Sequence, residues 1–79
     1  MPIAVKVPKL GSSVKSGVLV RWLKEVGSFV AEGEAIAEIE TEKITLDVEA
    51  PAAGMIMIHY VSEEEIFSLD AVIALIEVV

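Results

Sequence analysis

Apolar and polar residues alternate along much of this chain. Ile3, Val5 and Val7 take every second position near the N-terminus, Val18, Val20 and Trp22 do so again, and Ile44, Leu46 and Val48 a third time. A two-residue period is that of a strand with one face buried and one in water. Met55-Ile56-Met57-Ile58 and Val72–Ile76 are unbroken apolar runs. Their β-branched content, and their bounding by Gly54, the Ser62–Glu65 cluster and Asp70, mark them as strands too. Turn chemistry at Gly11-Ser12-Ser13, Gly27-Ser28, Glu32-Gly33-Glu34, Pro51-Ala52-Ala53-Gly54 and Ser62-Glu63-Glu64-Glu65 punctuates the pattern. No long stretch holds a helical period without a Gly or Pro, so the prediction is an all-β domain of short strands.

An internal repeat emerges when residues 17–40 are laid on residues 54–77, an offset of 37. Gly17 meets Gly54, and Ile36, Ala37, Ile39 and Glu40 meet Ile73, Ala74, Ile76 and Glu77. Other pairs are apolar on apolar, such as Val18 with Met55 and Leu19 with Ile56. Gly27 and Gly33 meet Glu64 and Asp70, so the second copy is expected to turn on acidic residues that tolerate turn geometry. The repeat implies two similar four-strand halves related by an approximate two-fold, each burying its apolar face on the other. That is a flattened β-barrel or sandwich. The joint between halves is the hairpin Thr41-Glu42-Lys43, and its two-fold equivalent is where the chain begins and ends, which sets Lys43 and the termini at opposite ends.

Size and charge narrow the chemistry. Seventy-nine residues make a single domain, 1–79, with a small core and no disulfide to support it. The absence of cysteine removes thiol nucleophiles, cysteine-based zinc sites and iron–sulfur clusters, and fits a reducing compartment. Apolar runs such as Ala71–Ile76 fall far below the roughly 18–20 residues that span a bilayer. The first eight residues alternate like a strand rather than a signal peptide, so folded structure is expected to begin at Met1. Residues 1–24 carry five bases and no acid, whereas residues 25–79 hold all thirteen acids and one base, Lys43. A net charge of −7 disfavours nucleic acid and anionic membranes as partners.

Lys43 therefore stands alone in an acidic stretch, at the joint of the repeat. A Schiff-base or general-base lysine is tuned by burial or by neighbouring cations, and Glu40 and Glu42 provide the opposite environment. Lys43 is thus no catalyst, but an exposed hairpin lysine suits a modifying enzyme that acylates it. His59 is the only imidazole, so no His-based triad or multi-histidine metal site can be built. It reads as a strand histidine facing solvent or a neighbour. Ser12-Ser13-Val14-Lys15 has a Ser-x-x-Lys spacing without the helix and second motif that chemistry requires. No calcium-loop pattern or phosphate-cradling glycine loop exists, so neither a metal nor a catalytic site is expected. Trp22, Phe29 and Phe67 are expected in the core.

Four segments stand out: Val-Pro-Lys-Leu-Gly (7–11), Gly-Val-Leu-Val-Arg-Trp-Leu-Lys (17–24), Ala-Glu-Ile-Glu-Thr-Glu-Lys-Ile (37–44) and Val-Glu-Ala-Pro-Ala-Ala-Gly (48–54). Through them residues 3–77 resemble a lipoyl domain of the 2-oxo acid dehydrogenase complexes. The resemblance implies a flattened barrel of two four-stranded antiparallel sheets, with lipoate in amide linkage on Lys43 at a hairpin tip. It departs from the usual pattern at Glu42, where aspartate is commoner, and at Ile44, where alanine or valine is usual. By the same resemblance the partners are a thiamine-diphosphate-dependent decarboxylase, an acyltransferase core, a flavin-dependent dihydrolipoamide dehydrogenase, and a lipoate ligase or lipoyl/octanoyl transferase. Partner recognition carries over to Glu40, Thr41, Glu42 and Ile44, and to Gly11, Ser12, Ser13 and Val14. The domain itself is expected to be a non-catalytic monomer, the N-terminal part of a longer acyltransferase, in a bacterial cytoplasm or a mitochondrial matrix. Two rivals belong to other classes: a biotin carrier, whose lysine normally lies between methionines, and an unmodified structural or adaptor hairpin domain.

Overall fold

The structure, a computed structural model, describes residues 1–11 and 13–79, and among them it holds eight strands and no helix. The strands are β1 (Pro2–Lys6), β2 (Ser16–Trp22), β3 (Phe29–Val30), β4 (Ala35–Glu40), β5 (Thr45–Glu49), β6 (Gly54–His59), β7 (Ile66–Ser68) and β8 (Val72–Val78). They form two antiparallel four-stranded sheets, ordered β1-β8-β6-β3 and β5-β4-β2-β7. The sheets are not hydrogen-bonded into a closed barrel, so the sandwich form of the expectation holds. The halves of the sequence are not the layers, however. Each sheet takes two strands from each half, and exchanging edge strands builds one common core, which a chain this small needs.

The largest fully buried side chains among the described residues are Leu19, Ile36, Ile39, Ile56, Ile73, Ile76, Val5 and Val48. Six of them form three pairs at the offset of 37: Leu19 with Ile56, Ile36 with Ile73, and Ile39 with Ile76. Each contributes roughly 1.5–3 kcal/mol by leaving water. The backbone obeys the same two-fold. Leu23 N–H donates to Ile36 O as Tyr60 N–H donates to Ile73 O, and Gly27 N–H donates to Ile56 O as Glu64 N–H donates to Leu19 O. Gly27 has φ 93°, and Glu64 adopts φ 69° at the equivalent place, so an acidic residue does make that turn in the second copy. Asp70 is not in that region, unlike its counterpart Gly33 at 84°.

Two side chains meet on the two-fold. Trp22 and His59, also 37 apart, stack with ring centroids 3.6 Å apart and planes within 3°. Trp22 Nε1 donates to the carbonyl of Val61 at 2.9 Å, and His59 Nε2 lies 3.1 Å from the carbonyl of Lys24, the symmetry-equivalent bond. A carbonyl can only accept, so Nε2 carries the proton. Burial against this stack holds the imidazole below its usual pKa, outweighing the opposing effects of the Lys24 carbonyl, Glu25 and Glu63.

Two readings of the side-chain pattern need correction. Val18 and Val20 do not face the core; Leu19 between them does, with no exposure. The register shifts between Leu19 and Arg21, and a bulge there returns Trp22 to partial burial. Phe29 is not a core residue but 66% exposed, because alternation on the edge strand β3 sends its neighbour Val30 inward. Phe67, the two-fold equivalent of Val30, is buried as expected.

Candidate functional site

The connection from β4 to β5 is a tight turn in which Glu42 and Lys43 are the outermost residues. Glu40 pairs with Thr45 at the end of the ladder, and Thr41 N–H then donates to Ile44 O at 2.8 Å. Thr41 closes the turn with its side chain. Its hydroxyl donates to Ile44 O at 3.0 Å and accepts the N–H groups of Lys43 at 3.2 Å and Ile44 at 3.1 Å. Neither Glu42 nor Lys43 needs positive φ, so non-glycine residues occupy the tip without strain. The two-fold equivalent of the Thr41–Ile44 bond joins Val78 N–H to Met1 O, in the other sheet. The lysine hairpin and the meeting point of the termini thus occupy equivalent positions.

Lys43 is exposed, and among the described residues it makes one side-chain contact across the fold, Nζ donating to Ser13 Oγ at 3.3 Å. Although glutamates flank it in sequence, no carboxylate lies within ion-pair distance of its ammonium among the described residues. Among the described residues the Nζ is held by a serine hydroxyl alone, which an acylating enzyme can displace. Such a site fits a group attached through an amide.

The remaining residues expected at the site fall into a definite arrangement. Ser13 and Val14, from the segment between β1 and β2, line one groove of about 490 Å³ with Glu40, Thr41 and Glu42. Gly11 lies outside that groove, with φ 106°, and lines an adjoining cleft with Val14. Ile44 is 49% exposed and lines neither. Ser12 lies outside the described residues. Sequence reading missed three features here: the locking role of Thr41, the Ser13–Lys43 contact, and the groove wall supplied by Gly17, Val18 and Ile66. The first had a signal, a hydroxyl residue opening a tight turn; the others join residues far apart in sequence and had none.

Gly17 explains how the groove wall approaches so closely. A Cβ there would sit 3.1 Å from Glu40 O and 3.2 Å from Ile39 Cγ2, so glycine lets β2 run tight against the end of β4. Across the two-fold, Gly54 is more restricted, with a Cβ only 2.1 Å from Glu77 O.

Comparison with known proteins agrees with this geometry. A family model described as "Biotin-requiring enzyme", of the biotin–lipoyl type, matches residues 3–76. Over 75 residues the chain is 39% identical to the dihydrolipoyllysine-residue succinyltransferase component of the 2-oxoglutarate dehydrogenase complex of Cupriavidus necator, covering 95% of this chain and 18% of that protein. Over 76 residues it is 36% identical to the acetyltransferase component of the pyruvate dehydrogenase complex of Corynebacterium glutamicum, covering 96% of this chain and 11% of the relative. The chain therefore spans less than a fifth of either curated relative. The solution structure of the lipoyl domain of the 2-oxoglutarate dehydrogenase complex from Azotobacter vinelandii superposes with a TM-score of 0.73 at 31% identity, covering 98% of this chain and 99% of that one. A joint of the repeat that presents one exposed lysine, on a fold shared end to end with that domain, places the chain in the biotin–lipoyl family as a lipoyl domain, a carrier of covalently attached lipoate.

Proposed function

We propose that Lys43 is the attachment residue, and that the domain carries acyl groups and reducing equivalents between the components of a 2-oxo acid dehydrogenase complex. The observation that carries this reading is the Lys43 Nζ at the tip of a turn locked by Thr41, exposed and donating to the Ser13 hydroxyl. Attachment by a lipoate ligase or lipoyl/octanoyl transferase forms an amide at Nζ with loss of its proton, which removes one positive charge from a chain at −7. The lipoyl group supplies a disulfide that takes up an acyl group and two electrons together. The protein supplies position. A rigid hairpin holds the anchor at a fixed place, and Glu40, Thr41, Glu42, Ile44, Ser13 and Val14 around it form the surface that a decarboxylase, an acyltransferase core and a dihydrolipoamide dehydrogenase meet.

Glu40 and Glu42 beside the anchor favour basic partner surfaces, an attraction that salt weakens. The domain is a monomer in this reading and acts in the compartment of its complex, bacterial cytoplasm or mitochondrial matrix. The relatives include both a succinyltransferase and an acetyltransferase component, so the 2-oxo acid is decided by assay. Reductive acylation of the lipoylated domain by a panel of 2-oxo acid decarboxylases is expected to proceed with one of them far faster than with free lipoamide. Rates no greater than with free lipoamide throughout would overturn the proposal.

A further inference from the structure

The segment between β1 and β2 breaks the two-fold. It runs through residues 7–15, whereas its counterpart between β5 and β6 is only residues 50–53, without a charge. The longer segment builds a cleft of about 430 Å³. Its apolar lining includes Val7, which is 7% exposed, and Leu69, which packs on the core. Lys6, Lys9 and Lys15 stand around it, with Asp70 as the one acid. Among the described residues none of these three lysines has a carboxylate within ion-pair distance, whereas Arg21 pairs with Glu38 and Lys24 with Glu34. In a chain with thirteen acids and six bases, half the bases are thus left unpaired around one hollow. Cations over an apolar lining suit a short carbon chain that ends in an anion.

The cleft is continuous with the carrier site. Val14 and Lys15 line both it and the groove against Glu40–Glu42, and Ser13 of the same segment touches Lys43. We infer that this cleft receives the free end of the arm anchored at Lys43, and that Lys6, Lys9 and Lys15 make it select an end bearing a carboxylate over a neutral one of the same shape. The inference rests on the reading of Lys43 as the lipoylated residue. It gives the domain a preference for acyl groups derived from dicarboxylic acids.

The test uses the chain's lack of cysteine, which leaves the arm's two thiols as the only thiols in the reduced, lipoylated domain. Alkylation with iodoacetate or with iodoacetamide, each of the two thiolates displacing one iodide, caps the arm with two carboxylates or with their two neutral amide counterparts. Intact mass, with Lys43→Arg as the comparison, first establishes that the arm is present on Lys43 and capped; a mass without it would overturn the attachment reading and the inference with it. Amide shifts of the two capped forms are then compared. The carboxylate form is expected to differ from the amide form at Lys6, Lys9, Lys15, Leu69 and Asp70, and the difference to vanish with Lys6→Gln/Lys9→Gln/Lys15→Gln and to shrink in high salt. Substituting three exposed lysines leaves the rest of the spectrum in place as a control on folding. Identical shifts in the cleft for both caps, or differences confined to residues 41–44, would overturn the inference.

Discussion

Gly17 and Gly54 are two-fold equivalents, yet alanine at the two sites is expected to have very different costs. Neither has positive φ, so the backbone accepts alanine and only space decides. At Gly54 the new methyl lies 2.1 Å from Glu77 O and 2.8 Å from Ile76 Cγ2, both on the neighbouring strand β8. Reaching an ordinary contact of about 3.4 Å means moving β6 and β8 apart by more than about 1 Å, in a core that has no slack. Overpacking against backbone costs about 3–5 kcal/mol at the upper end of such effects. A chain of 79 residues has about 4–12 kcal/mol of total stability. Gly54→Ala should therefore leave the domain marginal or unfolded. At Gly17 the nearest atoms are 3.1–3.3 Å away, two of the three being methyl groups that can yield. That cost is about 1 kcal/mol or less, partly offset by the lower entropy of the unfolded chain. Urea unfolding followed by the single tryptophan, Trp22, measures both variants. With a slope near 1 kcal/mol per molar, the midpoint should fall by about 3 M or more for Gly54→Ala and by under about 1 M for Gly17→Ala. Equal shifts would refute the close approach of β6 to β8.

Glu64→Gly is expected to stabilise the domain by up to about 1 kcal/mol in the same assay, because the left-handed conformation costs a non-glycine residue about 1–2 kcal/mol and glycine's extra unfolded-state entropy returns only part of that. Thr41→Val removes the three hydrogen bonds that close the hairpin, about 1 kcal/mol of local stability, so amide exchange at Lys43 and Ile44 should quicken about fivefold while the core stays protected. The folded-state pKa of His59 is lowered, so the unfolded chain takes up that proton first. Its contribution leaves stability untouched above the unfolded value of 6.5, destabilises the fold progressively as pH falls below 6.5, and levels off below the lowered folded value. His59→Phe, which keeps a ring on Trp22, should flatten the loss of stability as pH falls below 6.5. An unchanged slope would contradict that role.

The parts of this fold that could be read from sequence are those that buried contacts dictate directly. Ile36, Ala37 and Ile39 recur as Ile73, Ala74 and Ile76 because equivalent core positions admit few side chains. Trp22 and His59 fall in register in the same repeat, yet share no identity. What the two-fold preserves there is a flat ring with an N–H directed at a carbonyl, which residue-by-residue matching does not detect. Val18 and Val20 misled because a bulge reverses the alternation between Leu19 and Arg21. Phe29 misled because hydrophobicity reports a side chain's preference, while a two-residue edge strand had room to bury only Val30. Lys43 was legible for a different reason: it is the one base among thirteen acids after residue 24, and the repeat placed it at a joint. Its contact with Ser13, thirty residues away, belongs to tertiary structure alone.

The central claim, that Lys43 is the carrier residue, is tested most directly by intact mass of the chain incubated with lipoate, ATP and a lipoate ligase, alongside Lys43→Arg. The native chain should gain one lipoyl group and Lys43→Arg none, with every other lysine still present. A lipoyl group retained by Lys43→Arg, a biotin-sized gain with a biotin ligase instead, or no gain with a ligase proven active on another lipoyl domain would contradict it.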